Sequence, residues 1–173
     1  QRGWDSTFFA KYREREGRAL FENPSWIFLT ATLFAVVLIS NVFRNLMVVI
    51  DDKLSRGEIK NALDIQKELP QFFFKIAIVE VIPILLIIFG LVKVFDLNEK
   101  LEQSQVLIPL AIVLFSLFLG IRMTFSAKNN VLSHPNMKED VKQYVNSLSY
   151  IGMAFISAIP IISIVGIVIL LGL

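Results

Sequence analysis

The chain has 173 residues, of which 55% are hydrophobic and 18% are charged, and its formal net charge is +2. Soluble domains carry about 25% charged residues, and here the charges fall in short stretches between long apolar windows. The absence of cysteine excludes disulfides and thiolate chemistry, and the single histidine excludes a multi-histidine site within one chain. So small a net charge gives no reason to expect a nucleic-acid partner.

Residues 1–24 form a charged N-terminal segment in which aromatic residues are mixed with arginines and glutamates. Two interpretations are open. The segment is either an amphipathic helix that lies at the membrane interface with its aromatic side down, or a solvated helical extension of the first membrane span.

Four apolar windows follow, at about 26–50, 72–95, 106–125 and 148–173. A helix needs about 20 residues to cross a hydrocarbon layer about 30 Å thick, and each window is long enough. Ile and Val would favour strands in water, but in lipid every backbone group must be bonded internally, which favours helices. We therefore predict an all-α, multi-pass integral membrane protein with four transmembrane helices.

Polar links at 51–70, 96–105 and 126–146 connect the windows. Because short links favour antiparallel neighbours, we predict two tandem helical hairpins, at 25–100 and 101–173. The hairpins also share a sequence pattern. Aligning Glu80 with Ser157, at an offset of 77 residues, superposes the prolines that follow three residues later. At nearly the same offset, Arg44 falls on Arg122, so we interpret the chain as a tandem duplication that gives a parallel repeat.

Glu80 is the only acidic residue inside any apolar window. A carboxyl group in lipid must be neutral, paired or in contact with water. One hypothesis is reversible binding of H⁺ or Na⁺, helped by Pro83, which lacks an N–H and frees a nearby backbone carbonyl. The alternative is a structural ion pair with Arg44, which we expect at a similar depth in a tight antiparallel hairpin.

Three further polar residues are candidate neighbours of this ion site. Ser40 and Asn41 in the first helix are expected to hydrogen-bond between helices, with a cation-ligand role as the alternative. Ser157 takes the place of Glu80 in the second hairpin. No glycine-rich phosphate loop, Ser–His–Asp arrangement or paired carboxylates within one window are visible. The sequence thus predicts no catalytic site, no metal site and no cofactor apart from the bound ion.

The stretch Ile76-Ala-Ile-Val-Glu80-Val-Ile-Pro83-Ile resembles the carboxylate-bearing helix of the rotor c subunit (proteolipid) of F-type ATP synthases. The tandem form is similar to V-type proteolipids, in which a duplicated hairpin often keeps one of its two carboxylates. Arg122, the polar loop with His134-Pro135 and the fourth helix match the order found in that family. The resemblance covers about residues 26–173.

The resemblance implies that Glu80 binds H⁺ or Na⁺ and that the chain joins a homo-oligomeric ring that turns against a stator subunit. The chain departs from the family, whose first helices are usually glycine-rich, in its first apolar window. This window has no glycine and carries Phe28, Phe34 and Phe43.

We therefore expect an ion-binding, c-like proteolipid of a membrane rotary or motor-like complex, which would be at most the ion-translocating subunit of an ATPase. The alternative is a non-transporting four-helix subunit, or a scaffold or immunity protein, of a larger complex, with Glu80 and Arg44 as a structural pair. Expected partners are the lipid bilayer and either further copies of the chain or unlike subunits. The expected location is a bacterial cell membrane, with which the richness in Ile, Phe, Lys and Asn is compatible.

Overall fold

A computed structural model describes residues 23–96, 101–134 and 137–172, and all regular structure in these ranges is helical. The helices are α1 (Pro24–Ser55), α2 (Ala62–Gln66), α3 (Leu69–Asp96), α4 (Gln103–Leu132) and α5 (Glu139–Leu170). The four longer helices are apolar enough and long enough to cross a membrane. The predicted all-α protein with four transmembrane helices is confirmed. The predicted amphipathic segment, apart from its last two residues, lies outside the described ranges.

Helix α1 extends beyond its apolar window and has well-formed caps at both ends. The side chain of Asn23 accepts a hydrogen bond from the backbone N–H of Ser25 at 3.0 Å, and Pro24 occupies the first turn, where its missing N–H costs nothing. At the other end, Gly57 has φ = +70°, a left-handed conformation that glycine adopts without strain. The N–H groups of Gly57 and Glu58 donate to the last turn of the helix, as in a Schellman cap.

Helix α1 is the centre of the bundle and packs against α3, α4 and α5. Helices α1 and α3 form one antiparallel hairpin, and α4 and α5 form the other, as predicted. The two hairpins are not related by a twofold arrangement. Helix α1 packs extensively on α5, whereas the corresponding pair, α4 and α3, lacks such packing. The sequence repeat is therefore not matched by equivalent contacts between the hairpins.

Hydrogen bonds fix the two ends of the bundle. At the end where α1 begins, the Ser25 hydroxyl donates to the Gln105 carbonyl at 3.3 Å, so α1 and α4 start side by side. At the opposite end, which we call the link end, the Ala62 N–H donates to Asp140 Oδ2 at 3.1 Å. This bond joins the link between α1 and α3 to the start of α5.

Aromatic side chains of α1 fill notches formed by glycines of the neighbouring helices. The fully buried ring of Phe28 lies between Gly90 of α3 and Gly166 of α5, where an added Cβ would come within 3.0 Å and 2.5 Å of the ring. Phe43 lies against Gly152 of α5, where an added Cβ would come within 2.5 Å. Such small residues allow helices in lipid to approach closely.

We predict that Gly152→Ala lowers the free energy of unfolding by about 1–3 kcal/mol, the usual cost of overpacking a core, although alanine is the better helix former. Adding Phe43→Leu should recover part of this loss, because the smaller side chain leaves room for the new methyl group. Unfolding by SDS titration in mixed micelles measures both effects. Ala154→Val adds volume at an exposed position of the same helix and should be nearly neutral. A Gly152→Ala variant as stable as the wild type would contradict the close packing of Phe43 against Gly152.

Candidate functional site

Glu80 lies beside the buried stripe of α3. This stripe recurs every three or four residues and consists of Phe72, Ile76, Pro83, Ile87 and Gly90. Glu80 falls in the same register and is half-buried. It lies eight residues inside the window that begins at residue 72, which corresponds to about 12 Å along a helix. Glu80 is therefore well inside a helix that is long and apolar enough to cross a membrane.

Within the described part of the chain, no cationic group lies within 4.0 Å of the Glu80 carboxylate. The ion pairs found there lie in the links and at the helix ends, for example Lys53–Glu68 at 2.6 Å. Pro83 is buried and has no N–H to donate, so the carbonyl of Val79 loses its usual helical partner. An acid and an unpaired carbonyl thus occupy neighbouring positions of α3.

Glu80 and Arg44 are not at the same depth. Phe43 meets Phe72 edge-on, with ring centroids 6.4 Å apart, and Phe28 meets Gly90. Interpolation between these two contacts places Glu80 level with about residue 36 of α1, so Arg44 is about 12 Å nearer the link end. The Glu80–Arg44 ion pair, which was the alternative to ion binding, is not formed. Equal counting from the link failed because α1 and α3 are offset along each other. Arg44 lies one residue on the link side of the Phe43–Phe72 contact, whereas Glu80 lies eight residues on its other side.

Arg44 instead lines a groove between α1 and α4 at the link end. The groove has a volume of about 300 Å³, and its walls are formed by Ser40, Arg44, Met47, Val48 and Asp51 of α1 and by Met123, Ser126, Ala127, Asn130 and Val131 of α4. The Arg44 side chain is exposed and forms no ion pair with a described residue. We call this space the upper groove.

A second space continues from the upper groove towards the middle of the bundle. This lower groove has a volume of about 260 Å³ and shares Arg44 and Met123 with the upper one. Asn41 lines it, on the part of α1 that faces α4. Asn41 and Arg44 are therefore brought together with each other and not with Glu80.

Ser157 and Pro83 are the predicted neighbours that share the level of Glu80. Phe28 contacts both Gly90 and Gly166, and α3 and α5 run in the same direction, so Glu80 lies level with about residue 156. Ser157 is half-buried, and its hydroxyl donates to the Met153 carbonyl at 2.7 Å. Among the described residues there is no cluster of three His, Asp or Glu side chains that could hold a metal ion.

No protein-family model, curated protein or solved structure matches this chain. The resemblance to rotor c subunits accordingly stays a prediction. The local geometry that bears on it is the half-buried, unpaired position of Glu80 on α3.

Sequence reasoning missed the upper groove. Its polar positions recur with helical spacing, at 40, 44 and 51 on α1 and at 126 and 130 on α4. Residues spaced in this way share one face of a helix, so the pattern could have identified two polar faces. Nothing in the sequence showed that these faces meet, because this depends on the position of α4 relative to α1.

We predict that Glu80 and Arg44 contribute independently to stability. The free energies of unfolding of Glu80→Gln, Arg44→Gln and the double variant should be additive within about 0.5 kcal/mol, as for residues without shared contacts. Lys53 and Glu68, which are in contact at 2.6 Å, form the matched comparison and should show coupling of up to about 1 kcal/mol. Coupling above about 1 kcal/mol between Glu80 and Arg44 would restore the structural pair.

Proposed function

We propose that the chain is an ion-binding subunit of a motor-like complex in a bacterial cell membrane, in which Glu80 binds and releases H⁺ or Na⁺. The observation that supports this proposal is the half-buried carboxyl group inside the hydrocarbon layer, without a cationic partner in the described chain. Such a group is stable in lipid when it is neutral, and it needs a polar or charged partner when it is ionised. When Glu80 gains or loses a proton, its preferred environment therefore changes between lipid and a polar or charged partner.

The neighbouring proline supplies a second element of the proposed site. The carbonyl of Val79 lacks its helical donor because Pro83 has no N–H. A protonated Glu80 can donate to a carbonyl oxygen, and the same oxygen can join a carboxylate in coordinating Na⁺, which prefers oxygen ligands. One local geometry thus suits either ion.

The exposed faces of the bundle favour α3 as the surface that meets a partner. Only 22% of the membrane window of α3 is buried in the chain, against 56% for α1. Helix α1 is covered by its own chain, with Phe28 and Phe43 held in glycine notches, and this packing disfavours a ring lined by α1. We therefore propose that further copies or another subunit contact α3, where they can reach Glu80.

The second candidate is a non-transporting subunit, scaffold or immunity protein of a larger complex. The tight packing of α1 favours it, because the bundle is complete without neighbours. In that case Glu80 would pair with a cationic group of the partner. Replacement of Glu80 by glutamine would then weaken assembly, whereas in an ion-binding subunit it would abolish ion coupling and leave assembly intact.

We predict that a hydrophobic carbodiimide labels Glu80 in the detergent-purified protein. The reagent reacts with protonated carboxyl groups, so labelling should fall as pH rises, and Na⁺ should suppress it if the site binds Na⁺. Mass spectrometry locates the adduct. Glu80→Gln should remove it, and Glu102→Gln, at an exposed helix end, should not. Absence of labelling at every pH would contradict the proposed ion site.

A further inference from the structure

The groove between α1 and α4 has a polar upper half and an apolar lower half, as a phospholipid does. The lower groove is lined mainly by Leu33, Val36, Val37 and Leu119. Leu33 and Val37 are 42% and 63% exposed within the membrane window of α1, so the lower groove is open to the acyl chains of the bilayer. The upper groove lies directly above it, towards the link end.

Arg44 stands where the two halves meet. It lies about six residues inside the end of the α1 window, and a long arginine side chain can extend from such a depth to the membrane interface. Lipid phosphates lie at that level. A guanidinium group binds phosphate oxygens through two parallel hydrogen bonds, and no described carboxylate lies within 4.0 Å of the Arg44 guanidinium.

Ser40, one turn deeper in the membrane than Arg44, offers a second polar group to a phosphate-containing ligand. Its hydroxyl is buried and has no hydrogen-bond partner, although it lines the upper groove. Several other helical hydroxyls donate to the carbonyl four residues earlier, as Ser116 does to Ile112 at 2.8 Å. The hydroxyl of Thr32 is also buried without a partner, but Thr32 does not line the groove. A buried hydroxyl without a partner is costly, so this group is available to a phosphate or ester oxygen of a ligand.

Asp51 supplies a negative charge on the water side of Arg44. It lies two turns nearer the link end and also lines the upper groove. Its Oδ1 is 3.2 Å from Nε2 of His134, whereas its Oδ2 accepts no hydrogen bond from a described residue. A cationic side chain near the hydrocarbon and an anionic one near water match a zwitterionic headgroup, whose phosphate is deeper than its ammonium.

The geometry points to a binding site in this groove for a phospholipid with an ethanolamine headgroup, with the phosphate on Arg44, the ammonium on Asp51 and an acyl chain in the lower groove. The ethanolamine ammonium donates three hydrogen bonds, and Asn130 offers a further acceptor beside Asp51. A choline headgroup has no N–H to donate. A glycerol headgroup has no positive charge and would leave Asp51 facing the phosphate.

Native mass spectrometry of the detergent-purified protein tests this assignment, with phosphatidylethanolamine, phosphatidylcholine and phosphatidylglycerol of identical acyl chains as probes. The wild type should prefer phosphatidylethanolamine. Arg44→Gln should weaken binding of all three lipids about tenfold, which corresponds to about 1.4 kcal/mol. Asp51→Asn should remove the preference for ethanolamine, because it weakens binding of phosphatidylethanolamine, which loses both the charge and the hydrogen bonds, more than binding of phosphatidylcholine, which loses the charge alone.

Arg122→Gln is the matched control, because Arg122 is the repeat counterpart of Arg44, is exposed and does not line either groove. It should bind all three lipids as the wild type does. If Arg44→Gln does not fold, Arg44→Lys keeps the charge without the paired hydrogen bonds and should still weaken binding.

Three results would overturn the assignment. They are tighter binding of phosphatidylglycerol than of phosphatidylethanolamine by the wild type, equal losses in Arg44→Gln and Arg122→Gln, and displacement of bound lipid by inorganic phosphate. The last result would identify a site for a free anion. None of these measurements depends on Glu80, so failure here would leave the ion-binding proposal standing.

Discussion

The insertion of two α1 phenylalanines into glycine notches determines the arrangement of the whole bundle. Moving an apolar side chain from lipid into the space between two helices gains little free energy. Helices in a membrane therefore associate through close packing and interhelical hydrogen bonds. Phe28 brings α3 and α5 to the same side of α1, and the hydroxyl of Ser163 donates to the Phe28 carbonyl at 3.2 Å in the same region. Phe43 repeats the contact with α5 nearer the link end. Helix α4 completes the bundle on the remaining side of α1.

This arrangement separates Glu80 from Arg44. Because α3 and α4 contact different sides of α1, Glu80 and Arg44 belong to different surfaces of the protein. Glu80 lies beside the buried stripe of α3, and Arg44 lies in the α1–α4 groove. Each charge therefore needs a partner from outside the described chain, or, for the acid, a proton. A hairpin with the two residues at one level would have neutralised both and left neither available.

The four helices and their approximate bounds were predictable because a single constraint determines them. A long apolar segment in lipid must satisfy its own backbone hydrogen bonds, and a helix does so. The sequence did not predict which face of each helix is buried in the bundle. Phe28 and Phe43 are buried, whereas Phe34 of the same helix is 46% exposed, and all three are equally suited to lipid. Apolar periodicity marks a core only where the other face is polar. The depth of Glu80 relative to α1 also depended on the offset between α1 and α3, which is fixed by contacts such as Phe43–Phe72 and not by the ends of the apolar windows.

The glycines show why the resemblance to c-type proteolipids and the observed packing diverge. Rings of that family place glycines on the first helix, so that neighbouring copies approach there. Here the glycines that receive the α1 phenylalanines lie on α3 and α5, and the bulky residues lie on α1. Packing of a small residue against a large one, which in such rings joins neighbouring copies, here joins helices of a single chain. Surfaces for partners are then those that the notches leave uncovered, namely the exposed face of α3 that borders Glu80 and the α1–α4 groove with Arg44. Polar groups on these faces are costly to a protein surrounded only by hydrocarbon, and the cost is offset when a subunit, an ion or a lipid headgroup meets them.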